Sequence, residues 1–182
     1  MKTPRLLPFI GAIGLASLAS SATAADGEIN FRGEIKTSTC VIEVGDTSGG
    51  APGVAYLGTV PTSALSNAGA VAGGGRFSLR IDDSDSQCDL TGKAASVTFL
   101  GMSGSAGASA QWLGIDRSVT GYATNVAIQI RDASGAEVPL SQASAEYLNP
   151  KQPLEFTANY ISLGGATAGP ANGKAAFTVD IH

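Results

Sequence analysis

The chain has 182 residues, enough for one domain, and only 14% of them are charged, with a formal net charge of −4. That acidic balance argues against a nucleic-acid-binding face, which needs clustered lysine and arginine. Glycine occurs 24 times, Ala, Ser and Thr are abundant, and sustained 3.6-residue periodicity is missing, which argues against a helical protein.

The first segment reads as a secretory signal. "MKTPR" carries Lys2 and Arg5, the apolar run "LLPFIGAIGLASLA" follows, and small residues lead to "ATA" at 22–24. Cleavage after Ala24 or Ala25 fits. A membrane anchor needs about 20 apolar residues; this run is shorter and contains Pro8. Without Lys2 and Arg5 the mature chain has 9 basic and 15 acidic residues, a net charge of −6.

Next comes "GEINFRGEIKTSTC". Ile29, Phe31, Gly33 and Ile35 alternate with Glu28, Asn30, Arg32 and Glu34. Period two predicts a strand with one apolar face, yet this strand stands ahead of the rest of the domain. Further strands are expected at 39–44, 76–81, 95–101, 124–132, 153–162 and 175–181, with shorter ones at 54–58 and 137–141. The glycine-rich stretch 66–75 reads as a flexible surface loop. "RDASGAEV" reads as a hairpin turn. Short β-rich segments between Gly, Pro, Asn and Ser clusters predict a sandwich or barrel, in one domain without internal repeats.

Cys40 and Cys88 are an even pair in an exported chain and are expected to form a disulfide. A metal pair lacks partners, because the single histidine is His182, the last residue. The chain contains no HExxH, GxSxG, P-loop or CxxC motif, so the expectation is a protein that is not an enzyme and holds no metal or cofactor. Asp82, Asp83, Asp85 and Asp89 could hold calcium loosely, but Gln87 and Cys88 break the EF-hand spacing. A solvated loop is the simpler reading. Trp112 and Tyr122 could stack on a sugar, although a lone tryptophan more often caps a sandwich core.

Taken in order, several segments resemble the type 1 pilus subunits of the chaperone–usher pathway. "FRGEIKTSTCVI" resembles the segment leading into the family's first cysteine, and "YLGTV" with "TSAL" follows as expected. "FSLRI", Cys88 and "SVTFLG" are similar to its middle. "ATNVAIQIRDASGAEVPLS" (123–141) and "FTANYISLGGATAGPANGKAAFTVDI" (156–181) resemble its most recognisable stretches. The likeness covers essentially the whole mature chain. Two departures stand out: Ile181 occupies the penultimate position where the family has tyrosine, and the segment between "FSLRI" and Cys88 is longer than usual.

The resemblance implies an incomplete immunoglobulin-like β-sandwich over 38–182, completed by a donor strand from a neighbouring subunit. Residues 25–37 would be the donor extension, with Ile29, Phe31, Gly33 and Ile35 facing the acceptor. Phe177, Val179 and Ile181 would border the acceptor groove and bind the chaperone. The implied partners are neighbouring subunits in a head-to-tail homopolymer, a periplasmic chaperone and an outer-membrane usher, with no lipid anchor. The implied location is a fimbrium on the bacterial surface, reached through the periplasm, serving adhesion or biofilm formation. Alternatives are a minor or adaptor tip subunit, or a single-domain carbohydrate-binding adhesin. A two-domain tip adhesin does not fit about 158 mature residues.

Overall fold

The computed structural model describes residues 40–46 and 53–182. The expected signal segment and the leading strand with Ile29, Phe31, Gly33 and Ile35 lie outside the described residues. The strands are β1 (Val41–Asp46), β2 (Val71–Asp82), β3 (Ala95–Gly101), β4 (Ser105–Ala106), β5 (Trp112–Leu113), β6 (Val126–Asp132), β7 (Leu154–Ser162) and β8 (Ala175–Ile181). One sheet has the order β1-β2-β7-β6-β5-β4, and the other is the pair β3-β8. Every pairing is antiparallel.

Alternation decides which side chains meet between the sheets. Leu79 and Ile81 of β2, Leu154 and Phe156 of β7, and Ile128 and Ile130 of β6 are buried on one side; Ala95, Val97 and Phe99 of β3 are buried on the other. Three phenylalanines join the layers. Phe77 and Phe156 stack at 5.4 Å, and Phe99 meets Phe156 edge-on at 5.1 Å and Phe77 at 5.9 Å.

Tyr147 packs against the same cluster, 5.6 Å from Phe156, and its hydroxyl donates to the Glu155 carbonyl at 2.7 Å. Burial pushes its phenol up to about 12, with Asp132 and Glu155 adding to the effect. Burial also raises Tyr160. The folded domain therefore favours the neutral phenol. Its contribution to stability is intact below the ordinary value of 10.0 and is lost as pH rises from there towards about 12. Wild-type stability in urea is expected to fall across that window, and Tyr147→Phe should flatten the fall in part, Tyr160 accounting for the remainder. Equal pH slopes for the two proteins would contradict this.

The structure corrects three expectations. The stretch 66–75 is not a loop throughout: from Val71 onwards it is the start of β2. Its glycines mimic a loop in composition, but two of them, Gly73 and Gly75, lie against the main chain of Leu57 and Tyr56. Residues 54–58 form no ladder, although their exposure alternates as an extended strand's does. The stretch 137–141 contributes only the bridge from Glu137 to Arg131. Pro139 has no N–H to give, and Ser141 adopts φ +64°, turning the chain away. The hairpin at 132–136 does form. Asp132 accepts from Ser134 N at 2.9 Å and from Ala136 N at 3.0 Å, and Gly135 takes φ +83°. Strands β4 and β5, two residues each, and the short 3-10 turn Thr62–Leu65 are too brief to show a period.

Candidate functional site

The two edges of the smaller sheet differ. The outer edge of β3 is covered by residues 141–147: Ser141 N donates to Phe99 O, Ser144 N to Val97 O and Tyr147 N to Ala95 O, each at 2.8 Å. Val97 N donates to Ser144 Oγ at 3.0 Å. Among the described residues, no strand pairs with the outer edge of β8.

Burial changes across this one ladder. Ala95, Val97 and Phe99 are 0%, 0% and 3% exposed. Their cross-strand partners Ile181, Val179 and Phe177 are only partly buried, although they pack on the same core. Ala94 and His182 exchange both main-chain bonds, at 2.9 and 3.0 Å. Antiparallel alternation from that pair turns the N–H and C=O of Phe177, Val179 and Ile181 towards the open edge. Among the described residues the strand thus offers an unpaired main-chain edge together with an apolar face.

Residues 53–60 face that edge. Gly53, Ala55 and Leu57 line a cavity of about 330 Å³, with Ala175 and Phe177 on the other wall and Leu79, Ile128 and Ile130 among the floor residues. The intervening Val54 and Tyr56 are 41% and 62% exposed. Beyond Leu57 a second cavity of about 560 Å³ continues between Val60 and Ala171, lined also by Leu65, Val126, Tyr160 and Ala166. The two walls therefore present every second residue inward, the spacing of a strand-shaped slot.

Cys40 and Cys88 are bonded, with Cα atoms 4.9 Å apart. The bond ties the residue before β1 to the turn after β2. The other singled-out residues make local contacts. Trp112 Nε1 donates to Glu137 Oε1 at 2.9 Å, and Glu137 Oε2 accepts from the buried Gln129 at 2.5 Å. Tyr122 is partly buried against the core. Asp82, Asp85 and Asp89 each accept from a main-chain N–H two residues on, at 2.9 Å. These bonds hold Asp82 and Asp89 below the usual carboxylate range. Asp83 pairs with Lys151 at 3.8 Å. His182 lies exposed, 3.5 Å from both Glu146 and Asp180.

The family model described as "Fimbrial protein" matches residues 29–182. The chain belongs to the fimbrial protein family. It is similar to the type-1 fimbrial protein A chain of Escherichia coli K12, at 34% identity over 90% of this chain and 88% of that one. It is equally similar, with the same coverage, to the fimbrial subunit type 1 of Klebsiella pneumoniae. Among solved structures it resembles the P pilus rod subunit PapA, with a TM-score of 0.57 and 19% identity, covering 79% of this chain and 99% of that one. A chaperone–usher pilus structure gives a TM-score of 0.52 at 18% identity, over 90% of this chain and all of that one. The fimbrial subunit thus has the open sandwich of pilins. It is a structural subunit that assembles with other pilin subunits into a surface fimbrium.

Period two in 175–181 placed Phe177, Val179 and Ile181 on one face, and the structure puts that face on the core. The opposite wall at 53–60 was missed as part of this site. Its signal was the short β-rich segment at 54–58, which has no ladder partner within the described fold.

Proposed function

We propose that this fimbrial subunit polymerises by donor-strand exchange, with residues 25–37 of one subunit entering the slot beside β8 of the next. The single observation that supports this reading is the step in burial between β3 and β8, together with the unpaired main-chain edge on the less buried side. An entering strand with Ile29, Phe31 and Ile35 on one face would complete the layer by β-strand addition. Burial of three large apolar side chains contributes roughly 1.5–3 kcal/mol each. Each main-chain hydrogen bond adds about 1 kcal/mol. Gly33 would admit close approach of the backbone where a side chain would clash.

A lone subunit with this edge open is a template for unwanted pairing. That motivates a periplasmic chaperone that lends a strand until exchange, and an outer-membrane usher where exchange takes place. Residues 1–24 would direct export. Donation from one subunit into the next is a heterologous contact that does not close, so the homopolymer grows as a filament. The chain is a scaffold in this reading and carries out no chemistry.

The test is electron microscopy of cells with the gene intact, deleted, or shortened by residues 25–37 behind the same signal segment. Fibres are expected only with the intact gene, while the shortened subunit is still exported and closes its disulfide. Fibres built from the shortened subunit would exclude strand exchange by this segment.

A further inference from the structure

The slot's second wall lies with its main chain directly on β2, and three consecutive glycines make that possible. A Cβ on Gly75 would stand 2.4 Å from the Tyr56 carbonyl oxygen and 2.9 Å from its carbonyl carbon. On Gly73 it would meet the Leu57 carbonyl oxygen at 2.6 Å and Val60 Cγ2 at 2.8 Å. Gly74 points elsewhere, to the Asn159 side chain at 2.5 Å, and its own N–H donates to the Leu57 carbonyl at 3.0 Å. The β2–β7 register shifts between Ala72 and Gly75, so the seat coincides with a bulge. Side chains normally hold facing layers about 10 Å apart. Here that spacer is removed, and the wall settles onto β2 more closely than any side-chain-bearing strand would allow.

We propose that Gly73, Gly74 and Gly75 set the position of the 53–60 wall, and so determine whether the slot accepts a strand. The claim rests on the strand-exchange reading above. Gly75 is the informative position. Its φ is not positive, so alanine there adds only a contact with the main chain of Tyr56. To reach ordinary van der Waals distance the wall must lift by about 1 Å. That is enough to misalign the wall's hydrogen-bonding groups with a strand already paired to β8. Residues 66–75 thus hold a device for shaping the acceptor, although their composition reads as a flexible surface loop.

The test times the uptake of a fluorescent synthetic peptide of residues 25–37 by purified full-length subunits. The subunits are wild type, Gly75→Ala, Val60→Ala and Gly45→Ala. Gly45 is a strand glycine whose added Cβ would meet only Ser78, at 3.1 Å and beyond. Disulfide closure and near-ultraviolet circular dichroism report the fold. Gly75→Ala is expected to fold and to take up peptide about tenfold more slowly, the equivalent of losing one or two hydrogen bonds. Gly45→Ala should match wild type. Val60→Ala loosens the wall without adding an atom to β2 and should be slowed to a smaller degree. It decides the matter if Gly75→Ala fails to fold. Wild-type rates in every variant that folds would overturn the glycine assignment while leaving strand exchange intact. No uptake by wild type would instead overturn strand exchange itself.

Discussion

Replacing Phe31 with aspartate is expected to abolish fibre formation while the subunit still folds and closes its disulfide. The argument joins the leading segment's alternation to the slot's two walls. Phe31 shares a face with Ile29, Gly33 and Ile35. In the exchange reading that face enters between Phe177 and Leu57, over a floor of Leu79, Ile128 and Ile130. None of these lining side chains is a cation or a hydrogen-bond donor. A carboxylate driven into such a slot without a partner costs several kcal/mol, more than the phenylalanine would have contributed. Ile29→Asp should act alike, and a bulky residue at Gly33 should fail through steric exclusion. Asn30→Asp or Arg32→Gln, on the opposite face, should assemble nearly as wild type does. Fibre yield after shearing, set beside recovery of the soluble subunit, reads the outcome. Normal fibres from Phe31→Asp would show that another element drives assembly.

The second large effect is on stability. Cys40→Ser with Cys88→Ser is expected to cost about 4 kcal/mol in the chain-entropy account of a closed loop, here with a sequence separation of 48. Domains of this size are stable by only about 5–15 kcal/mol in total, so the loss is a large share. The local structure makes the site sensitive. β1 pairs only with β2 among the described strands, and its first residue, Val41, is 60% exposed. An edge strand with one neighbour frays unless its end is held. The measurement is denaturant unfolding of the oxidised wild type, the reduced wild type and the double variant. A midpoint unchanged by both reduction and substitution would refute the assignment.

The sandwich was legible because its strands announce themselves separately. "ASVTFLG" and "AAFTVDI" each carry a period of two, and the structure pairs them residue for residue, from Ala95 with Ile181 to Gly101 with Ala175. The cysteine pair was legible from export and number alone. The segment at 54–58 was legible as extended, but its place as a slot wall was not, because no local pattern in "VAYLG" tells which part of the fold it will face. The glycines at 73–75 misled for a related reason. Composition records that a residue is small; it does not record whether the space beside it is solvent or another backbone. The bond from Trp112 to Glu137 links residues 25 apart in sequence, and no local pattern points to it.

The covalent bond next to β1 also has a mechanical meaning. The chain enters the described domain at Cys40, immediately before β1, and the bond passes from there to Cys88, beyond the end of β2. Tension arriving along the preceding residues meets a fork at Cys40. One branch pulls on β1 in the direction that would strip it from β2; the other passes through sulfur to Cys88. The second branch is short and nearly inextensible, so it takes the load first. Everything between the two cysteines, including β1, the 53–60 wall and β2, is bypassed and cannot be drawn out as slack. A pull on the leading segment thereby bypasses the 53–60 wall and is handed at Cys88 to the part of the chain that carries β8.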